Sequence, residues 1–258
     1  MTHVRVENLR VSVPGKNLLD GLDLDFSPGQ LVGLIGPNGA GKTTLIKALA
    51  GFRAADHGSV SWNGKELPRW TARERAASCG YMPQHYVFAW DYSVRDLIEM
   101  GAARAAATDA AIQSTVDAHA LQPLVDRRWS TLSGGERARS LLASVMVTSP
   151  TLLLVDEPGA SLDIRHRIEL LSRLRTAAAS ATVIVVMHDL ELAVRYCDRL
   201  VLLANGRIAQ DAPAAQVIHP GALDATFGVR FQRVALRPEC DAVLGIPPAV
   251  WRDDAPRT

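Results

Sequence analysis

The sequence predicts an α/β fold with a parallel sheet, an antiparallel β subdomain toward the N-terminus and a helical subdomain inserted in mid-chain. Three observations carry that prediction. Two short apolar runs, 152–155 and 183–186, flank an amphipathic stretch at 164–178, the strand–helix–strand pattern of a parallel sheet. In the first 30 residues apolar side chains alternate with polar ones, as expected of an antiparallel sheet with one wet face. From about residue 93 to 149 the chain turns alanine-rich and carries helical periodicity without a convincing strand.

Taken in order, Val4, Val6, Leu9, Val11 and Val13 form the apolar side of a first strand, and Pro14-Gly15 forms a turn. Leu22, Leu24 and Phe26 then alternate with Asp23 and Asp25. Residues 30–35 read as a buried strand, and 44–50 as a helix closed by Gly51. Residues 60–62 enter a tight hairpin turn at Asn63-Gly64, and Thr71 with Glu74 fits a capping box opening a short helix. Helices are expected near 94–102, 109–119 and 135–147, and a further strand at 200–203 ends at Asn205-Gly206. The expected division is a domain over 1–230, with its helical subdomain at about 93–149, and a short tail over 231–258 containing Pro238, Pro247 and Pro248.

Bulk properties exclude several classes. Of 258 residues, 28 are Lys or Arg and 27 Asp or Glu, so a net charge of +1 gives no reason to expect a nucleic-acid partner. Cys79, Cys197 and Cys240 are odd in number and far apart, which argues against a disulfide framework. The N-terminus lacks an apolar signal region and no apolar run reaches a membrane span, so a cytoplasmic location is expected.

The chemistry is concentrated in a few segments. Gly36-Pro37-Asn38-Gly39-Ala40-Gly41-Lys42-Thr43 fits G-x-x-x-x-G-K-[ST] in full, between the strand at 30–35 and the helix opening at Thr44. The glycines let backbone N–H groups turn toward a phosphate chain, Lys42 reaches the outer phosphates and the Thr43 hydroxyl suits Mg²⁺. By itself this loop suits a kinase, a GTPase or a motor equally. Asp156 ends an apolar strand, expected beside the loop strand, where it would bind the metal through water, and Glu157 is the candidate general base. His188 ends a second buried strand, in reach of a γ-phosphate and of the attacking water, although alone it would read as a polar strand end. Gln84, after Tyr81-Met82-Pro83, is an amide suited to both Mg²⁺ and water. Ser133 is a candidate N-cap, and Gly134 and Gly135 bare N–H groups at the positive end of the following helix, making a second phosphate site.

The order of these segments, with Leu162-Asp163, resembles the ATP-binding subunit of ATP-binding cassette (ABC) transporters, over about residues 2–230. The resemblance implies a P-loop NTPase fold of the ABC ATPase type. Carried onto this chain, it implies Walker A at 36–43, a Q-loop at Gln84, a signature at 132–136, Walker B ending at Asp156, the catalytic Glu157, a D-loop at Asp163 and a switch at His188. It further implies ATP and Mg²⁺ as cofactors and a head-to-tail dimer in which a second copy completes each site. Transmembrane permease subunits and, indirectly, an extracytoplasmic substrate-binding protein are the other implied partners. The place of work is the cytoplasmic face of the inner (plasma) membrane, peripherally attached.

Finer features are similar to importers of iron-siderophore, haem and cobalamin: 81–84, 97–101, 161–164, 188–193 with 196–198, and Phe227-Gly228-Val229. Phe88-Ala89-Trp90-Asp91 is also similar to zinc and manganese importers, so these and exporters remain alternatives. A soluble, non-transport cassette ATPase is a further alternative, for which a coiled-coil insertion or a second cassette would be expected. Three positions depart from the family pattern: Val13 where an aromatic would stack on adenine, Ala138 where glutamine often follows the signature, and Gly159 where threonine usually follows Glu-Pro.

Overall fold

The computed structural model describes residues 1–159, 162–217 and 221–231. Ser161, Cys240, Pro238, Pro247, Pro248 and the tail beyond Phe231 lie outside the described residues. Strands β1 (Val4–Val13) and β2 (Lys16–Phe26) open the chain, and β3 (Leu31–Ile35) leads through the glycine loop into α1 (Lys42–Leu49). Strands β4 (His57–Trp62) and β5 (Lys65–Glu66), helix α2 (Ala72–Ser78) and β6 (Cys79–Met82) follow. The inserted helices are α3 (Val94–Ala102), α4 (Asp109–Ala118) and α5 (Gly134–Met146). The chain then runs β7 (Leu152–Asp156), α6 (Ile164–Ala178), β8 (Thr182–Val186), α7 (Leu190–Tyr196), β9 (Arg199–Ala204), β10 (Arg207–Pro213), α8 (Ala214–Val217) and α9 (Ala222–Phe227).

Two sheets result. The N-terminal one has the order β2-β1-β4-β5 and is antiparallel throughout; the other has the order β10-β9-β3-β8-β7-β6, parallel except for the edge strand β10. Strands β3, β7 and β8 are buried along their whole length, because helices and the second sheet cover both faces; this is why they read as unbroken apolar runs. In β1 the alternation slips between Val6 and Leu9, where Asn8 takes a left-handed conformation (φ 44°) and the register shifts. That bulge returns Leu9 and Val11 to the core face.

One structural relation differs from the sequence-based expectation. Asp156 does not end a strand beside the loop strand: β8 lies between β3 and β7. The parallel crossover through α6 inserts β8 into the gap, so on the Asp156 side the strand adjacent to the loop strand is the one that leads into His188. The helix after the loop also starts two residues early, at Lys42. Strand β6, which leads toward Gln84, and the edge strand β10 carry signals too short or too polar to be read from sequence.

Helix α5 joins the inserted helices to the sheet. Its Leu141, Leu142 and Val145 pack in the core shared with β7, β8 and α6, while Ala143 and Val147 face the core of α3 and α4. A helix clamped between two apolar cores holds its N-terminus firmly, and that N-terminus is the Ser133 segment. Cys79 and Cys197 are buried free thiols, both pushed up to about 12 by burial, so neither is a nucleophile at neutral pH.

Candidate functional site

The glycine loop is shaped by what surrounds it. A Cβ at Gly36 (φ 143°) would lie 2.2 Å from the Leu203 carbonyl oxygen, and one at Gly41 (φ 104°) would lie 2.7 Å from that of Leu18. Both glycines are therefore required by close backbone approach as well as by left-handed φ. The β9–β10 turn supports the loop directly: the Gly206 N–H donates to the Ala40 carbonyl at 3.1 Å, and Asp20 N–H donates to the Gly206 carbonyl at 2.8 Å. At the other end of β3, the Asp198 carboxylate accepts the Leu31 N–H at 2.9 Å, and Asp198 N–H donates to the Leu31 carbonyl at 2.9 Å. Sequence reading missed Gly206 and Asp198 as supports of the loop and of β3, since both lie more than 150 residues from the segment they hold.

Lys42 is 5% exposed, and its ammonium donates to the carbonyls of Gly36 at 2.8 Å and Pro37 at 3.0 Å. Burial pulls its pKa down, with the carboxylates of Glu157 and Asp156 opposing that shift. The lysine is thus folded onto its own loop, a charge waiting for an anion. The Thr43 hydroxyl donates to Asp156 at 3.1 Å, joining α1 to the end of β7 across the intervening strand. Asp156 is 1% exposed, and burial raises its pKa; the Thr43 hydrogen bond lowers it and the neighbouring Glu157 raises it further. A buried carboxylate with one neutral hydrogen-bond partner is under-stabilised, which suits a site that receives a cation.

Glu157 stands in a left-handed conformation (φ 48°), uncommon for a residue with a side chain. Both of its carboxylate oxygens are engaged: Oε2 accepts from the Gln84 amide, and Oε1 lies 2.5 Å from Nε2 of His188. The three residues named from sequence as catalytic therefore meet in one cluster, contributed by the segments after β6, β7 and β8. They converge on the carboxylate rather than around empty space, a relation no local motif could express. Neighbouring Arg167 escaped the sequence reading entirely, as one basic residue among several on α6. It donates to Asp189 at 3.2 Å and to the Leu162 carbonyl at 3.1 Å.

The Ser133 segment forms a complete capping box: the Ser133 side chain accepts the Glu136 N–H, and the Glu136 carboxylate accepts the Ser133 N–H at 2.8 Å. The Ser133 N–H, ahead of any side-chain contact, holds the Glu136 pKa down. Gly134 and Gly135 open the helix. A Cβ on Gly135 would lie 2.4 Å from the His166 ring, so this glycine is needed for packing against α6 as well as for a bare helix end. Among the described residues no hydrogen bond links 132–136 with 36–43 of the same chain. Asp163 caps α6 through His166 N–H and faces the His166 Nδ1, each at 2.9 Å. Ala138 is buried in the α5–sheet core. Val13 sits exposed at the end of β1. Gly159 leaves the space over which the Arg167 stem runs.

Known proteins resemble this chain along most of its length. The family model for ABC transporters matches residues 19–160. The hemin import ATP-binding protein HmuV of Streptomyces coelicolor is 39% identical over 247 residues, 93% of this chain and 88% of that protein. Its namesake from Rhodopseudomonas palustris (strain BisA53) is 34% identical over 262 residues, 97% of this chain and 96% of that one. Among solved structures, an ATP-binding subunit of an ABC transporter superposes with a TM-score of 0.76 at 24% identity, over 87% of this chain and 98% of that one. A bacterial Atm1-family ABC exporter with ATP bound gives 0.77 at 25%, over 88% of this chain and 41% of that one.

Proposed function

From the premise that this chain belongs to the ABC transporter family, as an ATP-hydrolysing subunit that drives transport, we propose that it powers import of a metal chelate, hemin foremost, through a separate permease. The observation that carries the catalytic part is the convergence of Gln84 and His188 on the two oxygens of Glu157, at the end of the strand whose Asp156 meets Thr43. The hemin import proteins, similar along nearly the whole chain, carry the substrate part.

In this reading the loop amides of 36–43, with Thr44, and the Lys42 ammonium hold the triphosphate of ATP. Lys42 exchanges its two carbonyl partners for phosphate oxygens, an exchange favoured because its burial is otherwise poorly compensated. Glu157 accepts the proton of the attacking water, while Gln84 and His188 orient that water once ATP draws them off the carboxylate. Thr43, Gln84 and Asp156 form an oxygen-rich set that fits Mg²⁺: a hydroxyl, an amide and one buried carboxylate are hard donors, and a single carboxylate with phosphates is the usual complement. When bound, Mg²⁺ neutralises charge on the β- and γ-phosphates. Ser133, Gly134 and Gly135 supply a second set of phosphate donors; they belong to the site of a second copy, packed head to tail.

The partners in this reading are that second copy, the permease and, through it, an extracytoplasmic binding protein. A peripheral position on the cytoplasmic face of the membrane goes with it. Among the described residues no helix is long and apolar enough to cross a membrane. The test is reconstitution with the permease. Glu157→Gln is expected to bind ATP and to lose at least a hundredfold in hydrolysis; turnover at the unmodified rate would remove Glu157 from the base role. Identification of the ligand carried by the co-purified binding protein checks the cargo, with hemin expected and zinc or manganese the outcome that corrects it.

A further inference from the structure

We propose that Arg167 is a positioning residue for hydrolysis, fixing the backbone from which His188 reaches the Glu157 carboxylate and the attacking water, by tying Asp189 at the start of α7 to Leu162. The proposal rests on the reading of Glu157 and His188 given above and extends it to a residue whose guanidinium bonds Asp189 and the Leu162 carbonyl.

The chain leaves Glu157, turns at Gly159, where its carbonyl accepts the Leu162 N–H at 3.1 Å, and enters α6 after Asp163. Arg167 lies in the first turns of that helix. One guanidinium nitrogen donates to the Leu162 carbonyl at 3.1 Å and the other to Oδ2 of Asp189 at 3.2 Å. The second oxygen of Asp189 caps α7 through the Leu192 N–H at 3.0 Å. His188 immediately precedes Asp189, so the arginine fixes the residue next to the imidazole that meets Glu157 at 2.5 Å.

Two features show that this tie is not incidental. A cavity of about 260 Å³ lies behind the segment, lined among others by Glu157, Arg167, Leu171, Val185, His188 and Asp189. Close packing, which ordinarily fixes a side chain's position, is therefore missing on that side, and a directional hydrogen-bond fork takes its place. The fork is also held at a cost, since Nε of Arg167 is buried with no hydrogen-bond partner among the described residues. Gly159 completes the device: a Cβ there would lie 3.0 Å from Cγ of Arg167, so the bare backbone is what lets the arginine stem pass.

Steady-state ATPase assays of the full-length chain test this. Arg167→Met keeps the stem and removes both donors; kcat should fall about tenfold while KM for ATP changes less than twofold, because the phosphate loop is untouched. Arg167→Lys, with one compact donor group in place of the fork, should recover part of the loss. In a His188→Ala background, assayed by single turnover, Arg167→Met should cost less than twofold more. An equal loss in both backgrounds, or a raised KM with unchanged kcat, would overturn the proposal. If Arg167→Met does not fold, Gly159→Thr, which pushes the stem from the other side, reads the same split between kcat and KM. Glu157→Gln run in parallel separates the two readings. Full activity there removes the base assignment, whereas an inactive Glu157→Gln beside a fully active Arg167→Met removes only the role of the arginine.

Discussion

Asp156 shows the tension between stability and function at a single residue. Its pKa is raised chiefly by burial, so the native state retains a proton that the unfolded chain gives up. The contribution of such a group to stability is present at acid pH and declines as pH rises through its folded pKa; near neutrality the buried charge is a net cost. Asp156→Asn should therefore raise the melting temperature of the nucleotide-free protein by about 2–4 °C, for roughly 1 kcal/mol, while abolishing hydrolysis. Thermal melts and ATPase assays on the same preparation check both parts. Gly36→Ala is the converse case. A methyl group 2.2 Å from the Leu203 carbonyl oxygen must displace backbone, so about 2–3 kcal/mol of stability should be lost together with nucleotide binding, measurable by urea unfolding and nucleotide titration. Residue types at these positions were readable from sequence, because each is dictated by local chemistry. The partners of those residues were not.

At the scale of elements, α5 and α6 meet at the N-terminus of α5, where Gly135 packs on the His166 ring. Ser133→Ala removes the side-chain half of the capping box and should cost about 1 kcal/mol. It should also slow hydrolysis by more than the stability loss explains, because in the proposed head-to-tail dimer the same hydroxyl faces the partner's phosphates. Gly135→Ala places a methyl 2.4 Å from the His166 ring and should destabilise the α5–α6 contact, whereas adding His166→Ala should restore most of the melting temperature. Failure of the double variant to recover would show that the glycine is needed for its backbone alone. The elements themselves were largely legible. The helix at 164–178 and the apolar strands carry strong periodicity, and the Thr71–Glu74 capping box stands where the sequence puts it. Strand β6 was not legible, because four residues containing a glycine show no period.

At the scale of the whole molecule, the loop at 36–43 and the helix start at 132–136 lie in different subdomains with no hydrogen bond between them, and the proposed head-to-tail dimer makes each of them half of a site. Specific ATPase activity should then rise with protein concentration, and Glu157→Gln with ATP should elute as a dimer while the nucleotide-free protein elutes as a monomer. Size-exclusion chromatography checks the second expectation and a dilution series the first. Concentration-independent turnover would set the head-to-tail arrangement aside.

What the sequence by itself determined is the chemistry and its order along the chain: the phosphate loop, the acid pair at 156–157, the imidazole at 188, the capped Gly-Gly helix start, and an α/β body with inserted helices. These are local properties, fixed by residue type and by spacing within one element. Only the tertiary structure decided that β8 separates Asp156 from the loop strand, that Gly206 holds the loop and Asp198 the start of β3 from the far end of the chain, and that Arg167 bonds Asp189, the neighbour of His188. Each of these is a contact between residues tens to hundreds of positions apart, and such contacts are set by how strands order themselves in a sheet. Hydrophobic periodicity specifies which face of a strand is buried but not which strand will lie beside it.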